Sequence, residues 1–265
     1  RLVGSEMCIR DSVMAVADGA GSAKYSRMGS RGACDTVADH CIEQLADNPD
    51  FEEAIHAFGN DRENTEKRTA LTKHVIDIIY GGATKAHNAV KQTAEVNGEA
   101  RLKDFATTLM FAICKRFDFG WFIASFWVGD GAMCLYDEKR KIIKLLGTPD
   151  EGEFSGQTRF LTMPEIFRDK DVVSKRVRMT IADDFTALYL MSDGVSDPMF
   201  ETDRNLNDFG KWRDFSEHLR SGFPEDGIGG VELSDDNEKA AEQLLGWLDF
   251  WSQGNHDDRT IAILY

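Results

Sequence analysis

The stretch V-M-A-V-A-D-G-A-G-S-A-K-Y-S at residues 13–26 decides how the fold is read, because an apolar run stops there at an aspartate and a glycine-rich turn. Three interpretations fit these residue types: a phosphate-cradling loop, a metal ligand at a strand end, or a tight turn. The nucleotide loops match poorly. Lys24 is followed by Tyr25 where a Walker loop has Ser or Thr, and Lys24 stands at the third glycine position of a dinucleotide loop.

Strand ends marked by an aspartate recur along the chain. In three places an apolar run stops at an Asp-Gly pair, and the aspartates are Asp18, Asp130 and Asp193. In a fourth place the order is reversed, since Asp257 and Asp258 come just before the last apolar run. Several carboxylates gathered at a sheet edge repel one another unless a cation lies between them. Oxygen ligands without clustered His or Cys are typical of Mg²⁺ or Mn²⁺.

The alternative explanation of each site is a hairpin turn, because Asp-Gly is a common turn pair. Taken singly, each aspartate fits that explanation better than a metal ligand. The segment S-D-G-V-S-D at residues 192–197 fits it less well, because Asp193 and Asp197 bracket one turn directly after an apolar run. Taken together, the four places favour a cluster of metal ligands.

Composition limits the partners and the compartment. Acidic residues outnumber basic ones 46 to 31, and the formal net charge of −15 argues against nucleic acids and anionic membranes as partners. The five cysteines include no C-x-x-C pair, which indicates reduced thiols and a cytoplasmic location. No apolar run approaches the roughly 18–20 residues that span a bilayer.

Periodicity predicts both helices and strands. Helices are expected at residues 29–46, 65–96, 208–220 and 237–251, the second with a kink at Gly81 and Gly82. Tightly spaced β-rich runs at residues 106–114, 121–128, 132–137 and 141–146 predict an antiparallel meander, and further strands are expected at residues 176–182, 186–191 and 260–265. Helices and strands alternate in blocks without a boundary signal, which predicts one α+β domain over residues 13–265.

Residues 1–12 stand apart from this pattern. The chain begins with Arg, and R-L-V-G-S-E-M-C-I-R-D-S has neither helical nor strand periodicity. The segment resembles a translated sequencing-adapter remnant. We therefore expect residues 1–12 to be a non-native leader and the native first strand to be missing.

The ordered motifs resemble those of the metal-dependent serine/threonine protein phosphatases of type 2C, in their compact bacterial branch. The residues that carry the resemblance are V-A-D-G-A-G-S-A-K-Y-S-R-M-G-S at 16–30, A-T-T-L-M-F-A at 106–112, F-W-V-G-D-G-A-M-C-L-Y at 126–136, F-S-G-Q-T-R-F-L-T at 154–162, L-Y-L-M-S-D-G-V-S-D at 188–197 and H-D-D-R-T-I-A-I at 256–263. Each motif is weak alone, but their order and spacing over the chain are specific.

The resemblance implies a four-layer αββα sandwich, in which helices flank two antiparallel β-sheets, with a two-metal site at one end. It assigns carboxylate ligands and catalytic roles to Asp18, Asp193 and Asp257, and a backbone carbonyl ligand to Gly19. With Asp193, it assigns a third, weaker metal site to Asp130 and Asp197, and it gives Asp258 a supporting role.

The resemblance also implies hydrolysis of phosphoserine and phosphothreonine in proteins by a water that two Mn²⁺ or Mg²⁺ ions activate. The expected partners are a phosphoprotein substrate and, as a candidate, a cognate serine/threonine kinase. Two departures are visible: Ala20 stands where eukaryotic members have a His, and the upstream phosphate-contacting Arg has no counterpart. The alternatives are a weak or inactive phosphatase-like regulator that binds a kinase or phosphoprotein, and a bacterial phosphatase module within a signalling switch.

Overall fold

The computed structural model describes residues 11–46, 48–98, 100–150, 158–252, 254 and 257–265. Within them the chain forms two compact units. The first unit comprises the described residues up to Asp130 together with Asp150–Asp184, and the second comprises Gly131–Pro149 and Phe185–Tyr265. The single domain expected over residues 13–265 stays a prediction. Of the leader expected at residues 1–12, residues 1–10 lie outside the described residues, whereas Asp11 and Ser12 form the start of a strand, Asp11–Val16.

The described residues contain seven α-helices and ten strands. The helices are α1 Ser26–Ala46, α2 Pro49–Gly59, α3 Thr65–Val96, α4 Lys170–Ser174, α5 Asp193–Phe200, α6 Phe209–Ser221 and α7 Ala240–Trp247. The strands are β1 Asp11–Val16, β2 Leu109–Phe117, β3 Gly120–Val128, β4 Ala132–Asp137, β5 Ile142–Gly147, β6 Val177–Ala182, β7 Ala187–Met191, β8 Gly222–Phe223, β9 Ile228–Gly229 and β10 Ile261–Leu264. Among these helices, none is long and apolar enough to cross a membrane.

The first unit is built on an antiparallel sheet with the strand order β1-β2-β3-β6. Strand β2 pairs on both sides, with Met110 opposite Val16 of β1 and Leu109 opposite Val128 of β3. The ends of β1 and β3 therefore lie on either side of the start of β2. This register brings the residues that follow β1 and β3 to one edge of the sheet.

Helices α1 and α3 pack together in the core of the first unit. Their contact includes the buried Val37 and Cys41 of α1. Helix α3 is continuous through Gly81 and Gly82, and the kink stays a prediction. A β-carbon on Gly82 would lie 3.2 Å from the Val37 side chain, and one on Gly81 would lie 2.8 Å from His40 Nε2. The two glycines therefore allow α1 to approach closely.

The second unit has an antiparallel sheet with the order β10-β7-β4-β5 and a short β8-β9 ribbon. Strand β7 pairs on both sides, with Met191 opposite Ile261 of β10 and opposite Ala132 of β4. Its core is strongly aromatic, because Trp212, Phe215 and Trp247 are buried together. The α+β class and the two antiparallel sheets are confirmed.

Three local predictions differ from the structure. The runs at residues 106–146 do not form one meander, because β3 pairs with β6 and β4 pairs with β7. Helix α2 was not predicted, although Asn48 caps its start, accepting from the Phe51 amide at 3.1 Å, and Pro49 occupies its first turn. Helix α5 was not predicted, because Pro198 lies inside it.

Two glycines of α1 give a matched test of the α1 packing. A β-carbon on Gly29 would collide with the Phe105 carbonyl, whereas one on Gly32 would meet nothing within 4 Å. We expect Gly29→Ala to lower the free energy of unfolding by about 1–3 kcal/mol through overpacking. Gly32→Ala should raise it by about 0.5–1 kcal/mol, because alanine favours the helix. Urea unfolding of both variants measures the difference, and equal effects would contradict this packing.

His40 makes the stability of the fold depend on pH. Its Nε2 lies 3.1 Å from the Ile78 carbonyl, and its Nδ1 is buried without a partner among the described residues. Burial first, and then the charge of Lys85, lower the pKa of His40 below 6.5. The unfolded chain therefore takes up a proton that the folded chain resists, and the free energy of unfolding falls as the pH drops through about 6.5.

We expect His40→Gln to flatten this pH dependence, because the glutamine amide stays neutral throughout. Urea midpoints measured between about pH 8 and about pH 5.5, which bracket the ordinary histidine pKa, test this. A variant whose midpoint falls as steeply as that of the wild type would contradict the assignment to His40.

Candidate metal centre

Asp18 is fixed through its backbone to the segment that precedes β2. Its amide donates to Thr108 Oγ1 at 2.9 Å, and its carbonyl accepts from the Thr108 amide and from Thr107 Oγ1, both at 2.8 Å. Gly19 continues this pairing as an isolated bridge to Thr107. Thr107 is fully buried, so water does not compete for these bonds. The side chain of Asp18 is left outside these bonds, at the end of β1.

Gly19 is required by the approach of helix α1. A β-carbon at this position would lie 2.6 Å from Ser26 Cβ and 2.9 Å from Ser26 Oγ. The first residue of α1 therefore packs directly on the Gly19 backbone. Any larger residue would separate α1 from the Asp18–Gly19 turn.

Asp130 occupies the corresponding place after β3. Gly129 has a φ of +122°, and a β-carbon there would collide with the Thr108 side chain. The Thr158 hydroxyl donates to Asp130 Oδ2. Because Thr108 contacts both Gly129 and the Asp18 amide, the structure brings Asp18 and Asp130 to one edge of this sheet.

A largely buried ion pair between Asp150 and Arg176 anchors the chain beside Asp130. The Asp150 amide donates to the Gly129 carbonyl at 2.9 Å, and the Asp150 carboxylate accepts from both terminal nitrogens of Arg176. The two side chains are only 14% and 12% exposed, and Arg159 Nε lies 3.8 Å from the same carboxylate. A bidentate pair with low exposure fixes geometry well. The strand end that carries Asp130 is therefore held from both sides.

In the second unit, the end of β7 is tied to the start of β10. The Ser192 amide donates to the Thr260 carbonyl at 3.0 Å, and Ser192 Oγ accepts from the Thr260 amide at 3.1 Å. Asp193 follows as the first residue of α5, and its Oδ1 accepts from the Gly194 amide at 2.8 Å. These bonds bring the segment that contains Asp257 and Asp258 beside Asp193.

Gly194 allows an unusually close backbone contact in this region. A β-carbon on Gly194 would collide with the Asp258 carbonyl and lie 3.3 Å from the Asp257 carbonyl. Asp257 and Asp258 themselves are exposed. Asp197 is also exposed and lies one turn along α5 from Asp193, with an orientation toward solvent rather than the core. The second unit thus gathers Asp193, Asp257 and Asp258 and places Asp197 nearby.

Arg259 holds the segment before β10 from the other side. Its Nη1 donates to the carbonyls of Leu248 (2.9 Å) and Phe250, and its guanidinium carbon lies 3.8 Å from the centre of the Phe250 ring. Desolvation lowers the pKa of Arg259. Arg259 remains charged because arginine titrates far above neutrality. The residue therefore acts as a clamp between the end of α7 and Asp257–Asp258.

The donor set fits a hard divalent cation, because it consists of carboxylates and the Gly19 carbonyl. The glycine at position 194 also lets the Asp257–Asp258 backbone approach Asp193 closely. In the ranges that the structure describes, no three His, Cys, Asp or Glu side chains form a group able to hold a metal ion. That the carboxylates of the two units share one centre stays a prediction, as do the roles of the individual residues.

Sequence reasoning missed the residues that support the candidate ligands. Thr107, Thr108, Ser192 and Thr260 hold the aspartates through backbone bonds, and Thr158 bonds to Asp130 directly. The signal was present in A-T-T-L and S-D-G, since short hydroxyl side chains beside a strand end often bond to nearby backbone. Pairs so distant in sequence leave no local pattern that could identify partners. His256 and residues 154–157, part of one quoted motif, lie outside the described residues.

The described cysteines carry no comparable chemistry. Cys41, Cys114 and Cys134 are buried, Cys34 is partly buried, and none of the four forms a disulfide. Burial raises the pKa of Cys34 and of Cys41 to about 12. Thiols with such pKa values stay protonated at neutral pH and are poor nucleophiles.

Gly194 gives a direct test of the second-unit geometry. We expect Gly194→Ala to weaken Mn²⁺ binding about ten- to a hundredfold, because the added methyl displaces the backbone of Asp257–Asp258 from Asp193. Isothermal titration with Mn²⁺ measures this without any substrate. Gly246→Ala is the matched control, since a β-carbon there meets nothing within 4 Å. Unchanged Mn²⁺ affinity in folded Gly194→Ala protein would contradict the role of this contact.

Three solved structures illustrate what this chain is similar to. A serine-threonine phosphatase 2C from Toxoplasma gondii aligns with a TM-score of 0.55 at 13% identity, over 96% of this chain and 84% of that one. The catalytic domain of the serine threonine protein phosphatase PstP, in complex with 2 manganese ions, aligns with a TM-score of 0.48 at 16% identity. The alignment covers 99% of this chain and 96% of that one. RsbX in complex with magnesium aligns with a TM-score of 0.44 at 14% identity, and the alignment covers 97% of this chain and 82% of that one.

The Toxoplasma gondii structure shows that this chain has the same fold. A sequence identity of 13% is too low to support a shared function. Curated protein sequences gave no match. The sequence model described as Protein phosphatase 2C matches residues 8–248, which is most of the chain. The chain therefore belongs to the protein phosphatase 2C family of metal-dependent serine/threonine phosphatases.

Proposed function

We propose that this protein hydrolyses phosphoserine and phosphothreonine in proteins, using a water activated by two divalent ions, Mn²⁺ or Mg²⁺. The observation that carries the proposal is the backbone contact that sets Asp193 beside Asp257 and Asp258. Asp18, Asp193 and Asp257 would supply the carboxylates and Gly19 a carbonyl. With Asp193, Asp130 and Asp197 would hold a third ion, and Asp258 would support its neighbour.

When bound, paired divalent ions lower the pKa of a water toward neutrality and neutralise charge on phosphoryl oxygens. The chain contributes orientation. The hydrogen bond from the Gly194 amide fixes one Asp193 oxygen, and the bonds to Thr107 and Thr108 fix the backbone of Asp18. These bonds limit how far the Asp18 backbone and the Asp193 carboxylate must move to bind a cation.

The family supports a phosphoprotein as the substrate class. A cognate serine/threonine kinase as a second partner, a bacterial signalling role and a cytoplasmic location belong to the proposal. The charge of −15 supports a protein substrate over nucleic acid, because it repels phosphate backbones.

Asp193→Asn tests the ligand assignment. We expect wild-type protein to hydrolyse p-nitrophenyl phosphate and a phosphothreonine peptide with Mn²⁺, and EDTA to abolish both reactions. Asp193→Asn should reduce both rates by at least about a hundredfold, since even the hydrogen-bond partners of metal ligands matter ten- to a hundredfold. Asp226→Asn, an exposed acid of the same unit, is the charge-matched control.

The possible outcomes distinguish a wrong phosphatase mechanism from a wrong assignment of Asp193 as a metal ligand. Wild-type protein without metal-dependent turnover would contradict the phosphatase mechanism. Metal-dependent turnover that survives Asp193→Asn at the control rate would leave the activity in place and show that the ligand assignment is wrong.

A further inference from the structure

A cavity of about 550 Å³ lies in the second unit between α5, α6 and the chain around Phe250. We call it the aromatic pocket. Its walls include the aromatic residues Phe215, Phe223, Phe250 and Trp251. The Phe223 and Phe250 ring centres are 5.5 Å apart, and Phe215 meets Trp247 edge to face at 6.0 Å. The walls are therefore anchored in the core of the unit.

Trp251 is the exception among these aromatic residues, because 70% of its surface is exposed. A tryptophan left in water at the mouth of a cavity has much apolar area to bury against a ligand. Phe250 and Trp251 also line a second cleft, which contains Asp257 and Asp258. The aromatic pocket therefore adjoins the segment that carries two of the proposed site residues.

The rim of the aromatic pocket is acidic. Asp197, Glu201 and Asp214 line it, whereas Lys211 is its only lysine or arginine among the described residues. Lys211 lies 3.4 Å from Glu201, and Arg213, outside the pocket, lies 2.9 Å from Asp214, so each cation compensates one acid and the rim keeps a net negative charge. This distribution attracts cationic groups and disfavours a further acid.

The aromatic pocket lies close in the chain to Asp193, one of the proposed metal ligands. Asp197 lies four residues after Asp193 on α5, which corresponds to about 6 Å along the helix axis. An extended peptide advances about 3.3–3.6 Å per residue, so a side chain a few residues from a bound phosphoresidue can reach the pocket.

We propose that the aromatic pocket docks the substrate phosphoprotein through one large apolar side chain, with a lysine or arginine beside it on the acidic rim. The pocket selects phosphorylation sites flanked by an apolar and a basic residue. This rests on the proposed function, because it assigns a substrate class to the same site. The aromatic walls supply the affinity for the apolar group, and the rim supplies the preference for positive charge.

The test uses phosphothreonine peptides that carry Leu-Arg three residues before or after the phosphothreonine. Matched peptides replace Leu by Ala or Arg by Glu. We measure kcat/KM with Mn²⁺, p-nitrophenyl phosphate turnover, and binding of fluorescein-labelled peptides in EDTA by anisotropy. The binding measurement does not depend on turnover, so it decides about docking even if the protein hydrolyses nothing.

We expect at least one Leu-Arg peptide to bind and react about tenfold better than its Ala counterpart, as for a buried anchor side chain. Trp251→Ala should remove that preference and leave p-nitrophenyl phosphate turnover unchanged. Ile142→Ala is the matched control, because Ile142 is an exposed apolar residue of the same unit, at 51%, outside both cavities. Since Trp251 is largely exposed, its removal should leave the fold intact.

The rim is tested separately with Asp214→Asn, and Asp226→Asn is the control. We expect the Arg-over-Glu preference to fall about two- to fivefold, as for exposed charge pairs. The effect should diminish at about 0.5 M salt, where such charges are screened.

Equal binding of Leu and Ala peptides, or a preference that survives Trp251→Ala, would overturn the docking proposal while phosphatase activity stands. If the protein hydrolyses no substrate but still binds the peptides in a way that depends on Trp251, the proposed function is overturned and the docking site is retained. Sedimentation that shows a Trp251-dependent dimer, without peptide binding, would mean that a second copy of the chain occupies the pocket and would also overturn the proposal.

Discussion

Pairing of a central strand on both sides is the constraint on which each unit depends. Strand β7 bonds to β10 and β4, and β2 bonds to β1 and β3. Because antiparallel register fixes where neighbouring strands begin and end, the aspartates at those ends have little freedom to shift. The hydroxyls of Thr108 and Ser192 extend the same ladders past the last residues of the strands. Candidate ligands are thus held by the bonds that build the sheets.

The sequence allowed much of this to be predicted, because buried strands and long amphipathic helices leave strong periodic patterns. β4 was predicted with its observed bounds and α3 with its observed length. Strand partners were not predictable in the same way, since pairing depends on residues far apart in the chain. The short helix α5 was missed, because an apolar strand leads into it and Pro198 breaks the usual helical pattern.

The candidate ligands were identified as aspartates at strand ends, but the contacts that gather them were not. Gly194 was read as a turn residue, whereas its importance lies in the absence of a side chain opposite the Asp258 carbonyl. A single sequence shows which residue is a glycine but not which distant backbone it faces. The same holds for Arg259, whose role depends on the carbonyls of Leu248 and Phe250.

The antiparallel pairing of β7 and β10 also bears on how such a protein can diverge. The chain leaves the sheet after Met191 and returns at Ile261, directly opposite. Everything between these residues is, in topological terms, one long hairpin loop whose ends are pinned. Lengthening a loop costs only a slowly growing closure entropy, about 0.6 kcal/mol per doubling. Exposed loops between these residues can therefore lengthen while the pinned ends keep Asp193 and Asp257 in register, whereas α6 must be kept because its Trp212 and Phe215 belong to the core of the unit.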